Sequence, residues 1–181
     1  MLLNGPPASG KSTIAARLAA ERPLALNLDI DVVRALLGDW KARPAEAGIA
    51  VRRLALLMAR EHLGSGHDVI VPQFLAKAEF IDQLADSAGS IGAEFVEIAL
   101  MISRADAVAA FERRSAQPES TTHRDAFEAV SEAGGVGALT TMYDNYMDLV
   151  QGRASARRVE VSIDDIDGTV AKVESAISAS V

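Results

Sequence analysis

The sequence predicts an α/β fold, a three-layer α/β/α arrangement around a five-stranded parallel sheet. Three observations lead there. Short apolar runs alternate with helical patterns along the 181 residues, as strand–helix–strand crossovers require. No repeat or low-complexity linker divides the chain, so residues 1–181 read as one domain. A glycine-rich loop, Gly5 to Ser12, falls between the first apolar run and the first helical pattern.

Met1 to Asn4 is a very short first strand. Lys11 to Glu21 reads as a helix, with Ile14 and Leu18 four residues apart and Pro23 just beyond its end. Leu24 to Leu28 is the second strand. Ile30, Val33 and Leu37 mark a helix face closed by Gly38, and Val51, Leu54, Ala55 and Met58 mark another that ends near Gly64 and Gly66. Val69 to Val71 is a buried third strand. A helix from about Lys77 to Ser87 follows, then a fourth strand, Phe95 to Ile102. Ala105 to Arg114 is helical. Ser115 to Thr122 is polar and aperiodic, so it is expected to be a mobile loop. A long helical region includes Leu139 to Val150, and Val159 to Ile163 is the fifth strand. Ile166, Val170, Val173 and Ile177 give the last helix one apolar face.

Composition narrows the class. Hydrophobic residues make up 49% of the chain and charged residues 24%, enough apolar surface for a packed core. The absence of cysteine excludes disulfides, thiolate metal sites and cysteine nucleophiles. There is no run of 18 apolar residues and no secretory pattern near residue 1, so a soluble cytoplasmic protein is expected. The net charge of −7 and the dispersed basic residues argue against a nucleic-acid partner.

The loop fits G-x-x-x-x-G-K-[ST] at every fixed position and has the strand and helix that its mechanism needs. Glycines let backbone N–H groups turn inward onto phosphate oxygens, and the helix N-terminus adds its positive dipole. Gly5, Ala8, Ser9, Gly10, Lys11, Ser12 and Thr13 are therefore the candidate phosphate-binding residues. Lys11 is expected to reach the β- and γ-phosphates of ATP, and the Ser12 hydroxyl to ligate Mg²⁺. A second constellation, Asp29-x-Asp31-x-x-Arg34, follows the second strand. A carboxylate there could accept or orient the proton of an acceptor hydroxyl, and Arg34 could hold a polar acceptor group. Asp29 or Asp31 could equally cap the helix that follows.

Leu3-Asn4-Gly5 through Ser12, with Asp31 after the second strand, resembles the chloramphenicol phosphotransferases. The D-x-D-x-x-R arrangement resembles adenylylsulfate kinases, and Asp31-x-x-Arg34 resembles polynucleotide kinases and the zeta-type toxins. The resemblance covers about residues 2–34. It implies a nucleoside-monophosphate-kinase-like P-loop fold, transfer of the ATP γ-phosphate, and Asp31 as catalytic base. Two departures stand out. The third strand ends Val71-Pro72-Gln73 without the aspartate that many such enzymes use for Mg²⁺, and without the serine-proline element of adenylylsulfate kinases. Asp29 or Asp31 takes over the metal task through water, or Ser12 and the phosphates suffice. Gln73 either contacts the acceptor or simply ends a strand.

Arg113, Arg114 and Arg124 flank the polar stretch and resemble the arginines of a lid, here about residues 113–125, that closes over ATP. Which arginine acts on the phosphates is left open, and arginines also suit a helix C-terminus. His62 and His67 read as solvent-facing, and Gly134-Gly135 as a turn or hinge. The expected function is an ATP- and Mg²⁺-dependent phosphotransferase acting on a hydroxyl of a small molecule. The alternatives are a nucleic-acid 5′-hydroxyl kinase, or a nucleotide-dependent switch or ATPase that transfers to no acceptor.

Overall fold

The computed structural model describes residues 1–118 and 120–179. Its elements in chain order are β1 (Leu2–Asn4), α1 (Lys11–Ala20), β2 (Leu26–Asn27), α2 (Ile30–Ala35), α3 (Pro44–Gly64), β3 (Val69–Gln73), α4 (Ala78–Gly89), β4 (Glu97–Met101), α5 (Arg104–Ala116), α6 (Thr121–Glu132), α7 (Val136–Gly152), β5 (Arg157–Glu160) and α8 (Ile166–Ser178). The five strands form one parallel sheet in the order β2-β3-β1-β4-β5.

Strand alternation assigns the helices to layers. Successive side chains of a strand point to opposite faces. Leu2, Val69 and Val71 therefore share one face, packed with Val51, Ala55 and Ala59 of α3 and Phe80, Ile81 and Leu84 of α4. Leu3, Ile70, Ile98 and Leu100 point the other way, onto Ile14 and Leu18 of α1 and Val170 and Val173 of α8. Ala99, of opposite parity to Ile98, meets Tyr146 and Val150 of α7 on the α3/α4 face. The result is the three-layer arrangement that the alternating pattern predicts. From central β1 the chain crosses to one face, and from its neighbour β3 to the other. That divergence opens a crevice at the carboxyl ends of the strands.

Several boundaries depart from the sequence reading. The second strand is two residues long instead of the expected Leu24 to Leu28. Leu24 lies in a turn with φ of 56° and is 71% exposed, although Leu28 N–H still bonds the Ile70 carbonyl at 2.8 Å. The expected loop Ser115 to Thr122 is helical at both ends: α5 runs on to Ala116 and α6 begins at Thr121. Ser120 caps α6 by accepting the His123 N–H at 3.2 Å, so this polar cluster is in part a helix start. Glu119, within that stretch, lies outside the described residues. The helix expected around Val51 begins seven residues earlier, with Pro44 in its first turn. Gly134 and Gly135 both have positive φ and form the turn between α6 and α7.

Buried polar groups pin the central strands to what surrounds the crevice. The Asn4 side chain, fully buried, donates to the Leu75 carbonyl at 3.1 Å and accepts the Leu75 N–H at 2.9 Å. This ties the segment after β3 to the last residue of β1. The Tyr146 hydroxyl, also buried, donates to the Leu100 carbonyl at 3.0 Å and lies 3.3 Å from the Asn4 carbonyl. Removing the Asn4 side chain would leave two buried Leu75 groups unpaired, at about 1–3 kcal/mol each. Asn4→Ala should therefore lower the urea midpoint by an amount equivalent to at least ~2 kcal/mol with an unchanged m-value. A midpoint within error of wild type would show that this bridge is not structural.

Candidate active site

The glycine loop leaves β1 at the carboxyl edge of the sheet. At Gly5 a Cβ would lie 2.6 Å from Ser9 Oγ and 3.0 Å from Leu100 Cβ, so the loop folds over a residue without a side chain. Gly10 has φ of 83°, a left-handed conformation that suits glycine; Ala8 adopts it too, at 63°, despite its Cβ. Ser9 N–H bonds the Pro6 carbonyl at 3.2 Å and closes the turn. Helix α1 then starts with Gly10 at its N-cap, no side chain capping it and no acid in its first turn. A helix start left in this way presents N–H donors and a positive dipole end to a ligand.

Around this helix start lies a cavity of about 380 Å³. Ala8, Gly10, Lys11, Ser12 and Thr13 line it from the loop, and Ala110, Arg113, Arg114 and Gln117 from α5. His123, Ile163 and Ile166 complete the wall. The Lys11 Nζ turns back onto the Pro6 carbonyl at 2.8 Å. Its ammonium is held down to about 7, first by burial and then by Arg114, against the opposing pull of Asp31 and Asp29.

The two aspartates have separate positions. Asp29 caps α2, its Oδ1 accepting the Asp31 N–H at 2.9 Å. Its other oxygen, Oδ2, accepts from Ser12 Oγ at 3.2 Å. Asp31 lies in the first turn of α2, paired with Arg34 at 3.1 Å. Desolvation by its surroundings raises the Asp31 pKa above the ordinary carboxylate value, helped by Asp29 and Asp125 and opposed by Arg34 and Lys11. Arg114, partly desolvated, is in turn stabilised in its charged form by Asp31. Lys11, Asp31 and Arg114 thus form one electrostatic group.

Arg34 stacks on the Trp40 ring, 4.8 Å from its centroid, and its Nε is buried without a hydrogen-bond partner among the described residues. Gln73 is the register partner of Asn4 across the β1–β3 ladder, and its buried Oε1 is likewise unpaired there. Arg124 is exposed on α6 and is not part of the cavity lining that holds Arg113 and Arg114. Gln117, Ile163 and Ile166 were not singled out from sequence. The position of Ile163 just past β5, at the sheet edge where ligands bind, was the available signal. His62 and His67 do not line the cavity at the loop: His62 hydrogen-bonds with the Leu24 carbonyl at 2.7 Å, and its ring lies 5.3 Å from that of His67. No group of three or more metal-ligating His, Cys, Asp or Glu occurs among the described residues.

The loop fits a triphosphate by its own geometry: an uncapped helix start, a buried Ser9 hydroxyl without a partner among the described residues, and three cations on the cavity wall. The Ser12 hydroxyl beside the Asp29 carboxylate is an oxygen pair of the kind that suits Mg²⁺.

Comparison with known proteins agrees with the fold. The fold is the three-layer P-loop kinase fold. A gluconokinase from Sinorhizobium meliloti 1021 superposes with a TM-score of 0.58 at 19% identity, over 99% of this chain and 96% of that one. The Deinococcus radiodurans tunicamycin resistance protein gives 0.57 at 14%, over 96% and 94%. A deoxyadenosine kinase from M. mycoides gives 0.54 at 12%, over 99% and 100%. The family described as AAA domain matches residues 1–133, and the chain belongs to that family. No curated protein matches it.

The lowered Lys11 pKa has a measurable consequence. Phosphate oxygens beside Lys11 favour its charged form, so binding raises a pKa that starts at about 7. At about pH 8 the empty protein holds Lys11 mostly neutral, and nucleotide binding should take up nearly one proton. At about pH 6 Lys11 is already charged, and the uptake should vanish. Isothermal titration of Mg²⁺-nucleotide in buffers of different ionisation enthalpy reads this directly. Identical heats in all buffers at about pH 8 would contradict the linkage.

Proposed function

We propose that the protein is an ATP- and Mg²⁺-dependent phosphotransferase that moves the γ-phosphate to a hydroxyl of a small molecule. The observation that carries this reading is the placement of Asp31, with a raised pKa, in electrostatic contact with the loop lysine and Arg114. A nucleotide-binding loop alone needs no such carboxylate. A base for an acceptor hydroxyl does, and a raised pKa moves it toward the range where general bases work. The kinases of the same fold support the class, and the unpaired Gln73 Oε1 and Arg34 Nε supply polar groups for an acceptor.

In this mechanism backbone N–H groups of Ala8 to Thr13 and the α1 dipole hold the phosphates. Lys11 adopts its charged form against the β- and γ-oxygens. Arg113 and Arg114, facing from α5, neutralise the charge that spreads over the γ-phosphoryl group in transfer. Ser12 and Asp29 are the residues that would hold Mg²⁺, which when bound would supply further neutralisation of phosphate charge. Asp31 accepts the acceptor's hydroxyl proton as the acceptor oxygen bonds to the γ-phosphorus. The bond from that phosphorus to the bridging oxygen breaks, and its electron pair leaves with ADP. Arg34, braced by Trp40, keeps Asp31 oriented.

Asp31→Asn retains the shape but removes the proton acceptor. It should lower kcat by about 10²–10⁴-fold with ATP affinity nearly intact, and abolish the acid limb of the pH–rate profile. Asp29→Asn should change the Mg²⁺ dependence more than kcat at saturating metal, and Lys11→Ala should lose at least ~100-fold in transfer. Near-normal kcat in Asp31→Asn, with its acid limb retained, would remove Asp31 from the chemistry.

A further inference from the structure

A second cavity, of about 450 Å³, opens between α3, the segment after β3 and α4. Ile49, Arg52, Arg53 and Leu56 line it from α3 at i, i+3, i+4 and i+7, one continuous face of that helix. Lys77 and Glu79 face them from the start of α4 and the residue before it. Three cations and one acid therefore surround the space.

This balance runs against that of the chain as a whole, in which 25 acidic side chains outnumber 18 basic ones. Seven arginines elsewhere are ion-paired among the described residues, including Arg17 with Asp167, Arg22 with Asp68 and Glu174, Arg43 with Asp39 and Glu46, and Arg153 with Glu97 and Asp82, while Arg113 and Arg114 of the phosphate-side cavity are not. Arg52, Arg53 and Lys77 make no ion pair among the described residues. Arg52 is steadied instead by the Phe80 ring, with its guanidinium 5.8 Å from the centroid. A guanidinium held on an aromatic face leaves its donor edge free for a planar or tetrahedral oxyanion.

The cavity shares no lining residue with the one at the glycine loop, but its wall is tied to the strand that carries that loop. Phe74 and Leu75 line it, directly after Gln73, and the Asn4 side chain fastens Leu75 beside the residue that begins the glycine loop. The amino-terminal half of α3 and the start of α4 both lie at the carboxyl edge of the sheet, the same edge as Asp31. We propose that this cavity binds an anionic group, carboxylate or phosphate, carried by the acceptor whose hydroxyl is presented to Asp31. The proposal rests on the phosphotransferase reading for the word acceptor, but the anion site itself does not.

Inorganic phosphate and malonate serve as probes, titrated into the full chain while backbone amide shifts are followed by NMR. Shifts are expected at Ala76 to Glu79, with affinity falling at least about tenfold in the Arg52→Gln/Lys77→Gln double variant. Phosphate alone acting there assigns a phosphate ester; malonate acting there assigns a carboxylate. Shifts confined to Gly5 to Thr13 would support the phosphate loop and overturn only the cavity proposal. No shift at Ala76 to Glu79, or equal affinity in the double variant, also overturns it. The acceptor recovered by screening with γ-labelled ATP must itself be anionic. Its KM must rise in the double variant while the KM for ATP holds, and a neutral acceptor with unchanged KM contradicts the proposal.

Discussion

Among the described residues no side chain caps the backbone N–H groups at the start of α1, and much of the surrounding architecture follows from leaving that helix end open. A helix start leaves donors unsatisfied unless a side chain caps it. Here the N-cap is Gly10 and the first turn has no acid. Ala8 in the left-handed region costs roughly 1–2 kcal/mol, and Gly5 must lack a side chain for the loop to fold over it. Strain of this kind persists where the surrounding structure over-determines it. The close-packed core beneath, with Leu3, Ile14 and Leu100 fully buried, does so.

The same edge of the sheet gathers the rest of the chemistry. The short β2 delivers Asp29 to the Ser12 hydroxyl and Asp31 to the field of Lys11. Helix α5 brings Arg113 and Arg114 over the loop from the opposite side. Lys41, in the segment after α2, pairs with Asp125 at 2.6 Å and Glu128 at 3.0 Å on α6. The segment after α2 and helix α6 are thus tied together, and Asp125 adds to the field that raises the Asp31 pKa.

What was legible in the sequence was local. The glycine loop could be read because its constraint lies within eight consecutive residues, and the layers because apolar runs alternate with helical faces. Leu24 misled because its apolar side chain points to solvent from a turn. The stretch 115–122 misled because serine and threonine serve both loops and helix caps, and here Ser120 is a cap. The beginning of α3 was missed because Ala45, Ala47 and Gly48 give no apolar period, though Pro44 marked it. The different partners of Asp29 and Asp31, the Ser12 hydroxyl and the α2 cap for one and Arg34 for the other, depend on packing that spacing does not encode. Arg52 and Arg53 stay exposed on α3, and only the tertiary packing shows that they share a cavity with residues 74–77.

The central claim is that the γ-phosphate passes to an acceptor hydroxyl beside Asp31. The most direct measurement follows the fate of γ-labelled ATP incubated with the protein, Mg²⁺ and a fractionated small-molecule extract, with products separated and weighed by mass spectrometry. The account predicts label in a phosphorylated small molecule formed by wild type and nearly absent with Asp31→Asn. Label released only as inorganic phosphate, at the same rate in both proteins, would contradict it.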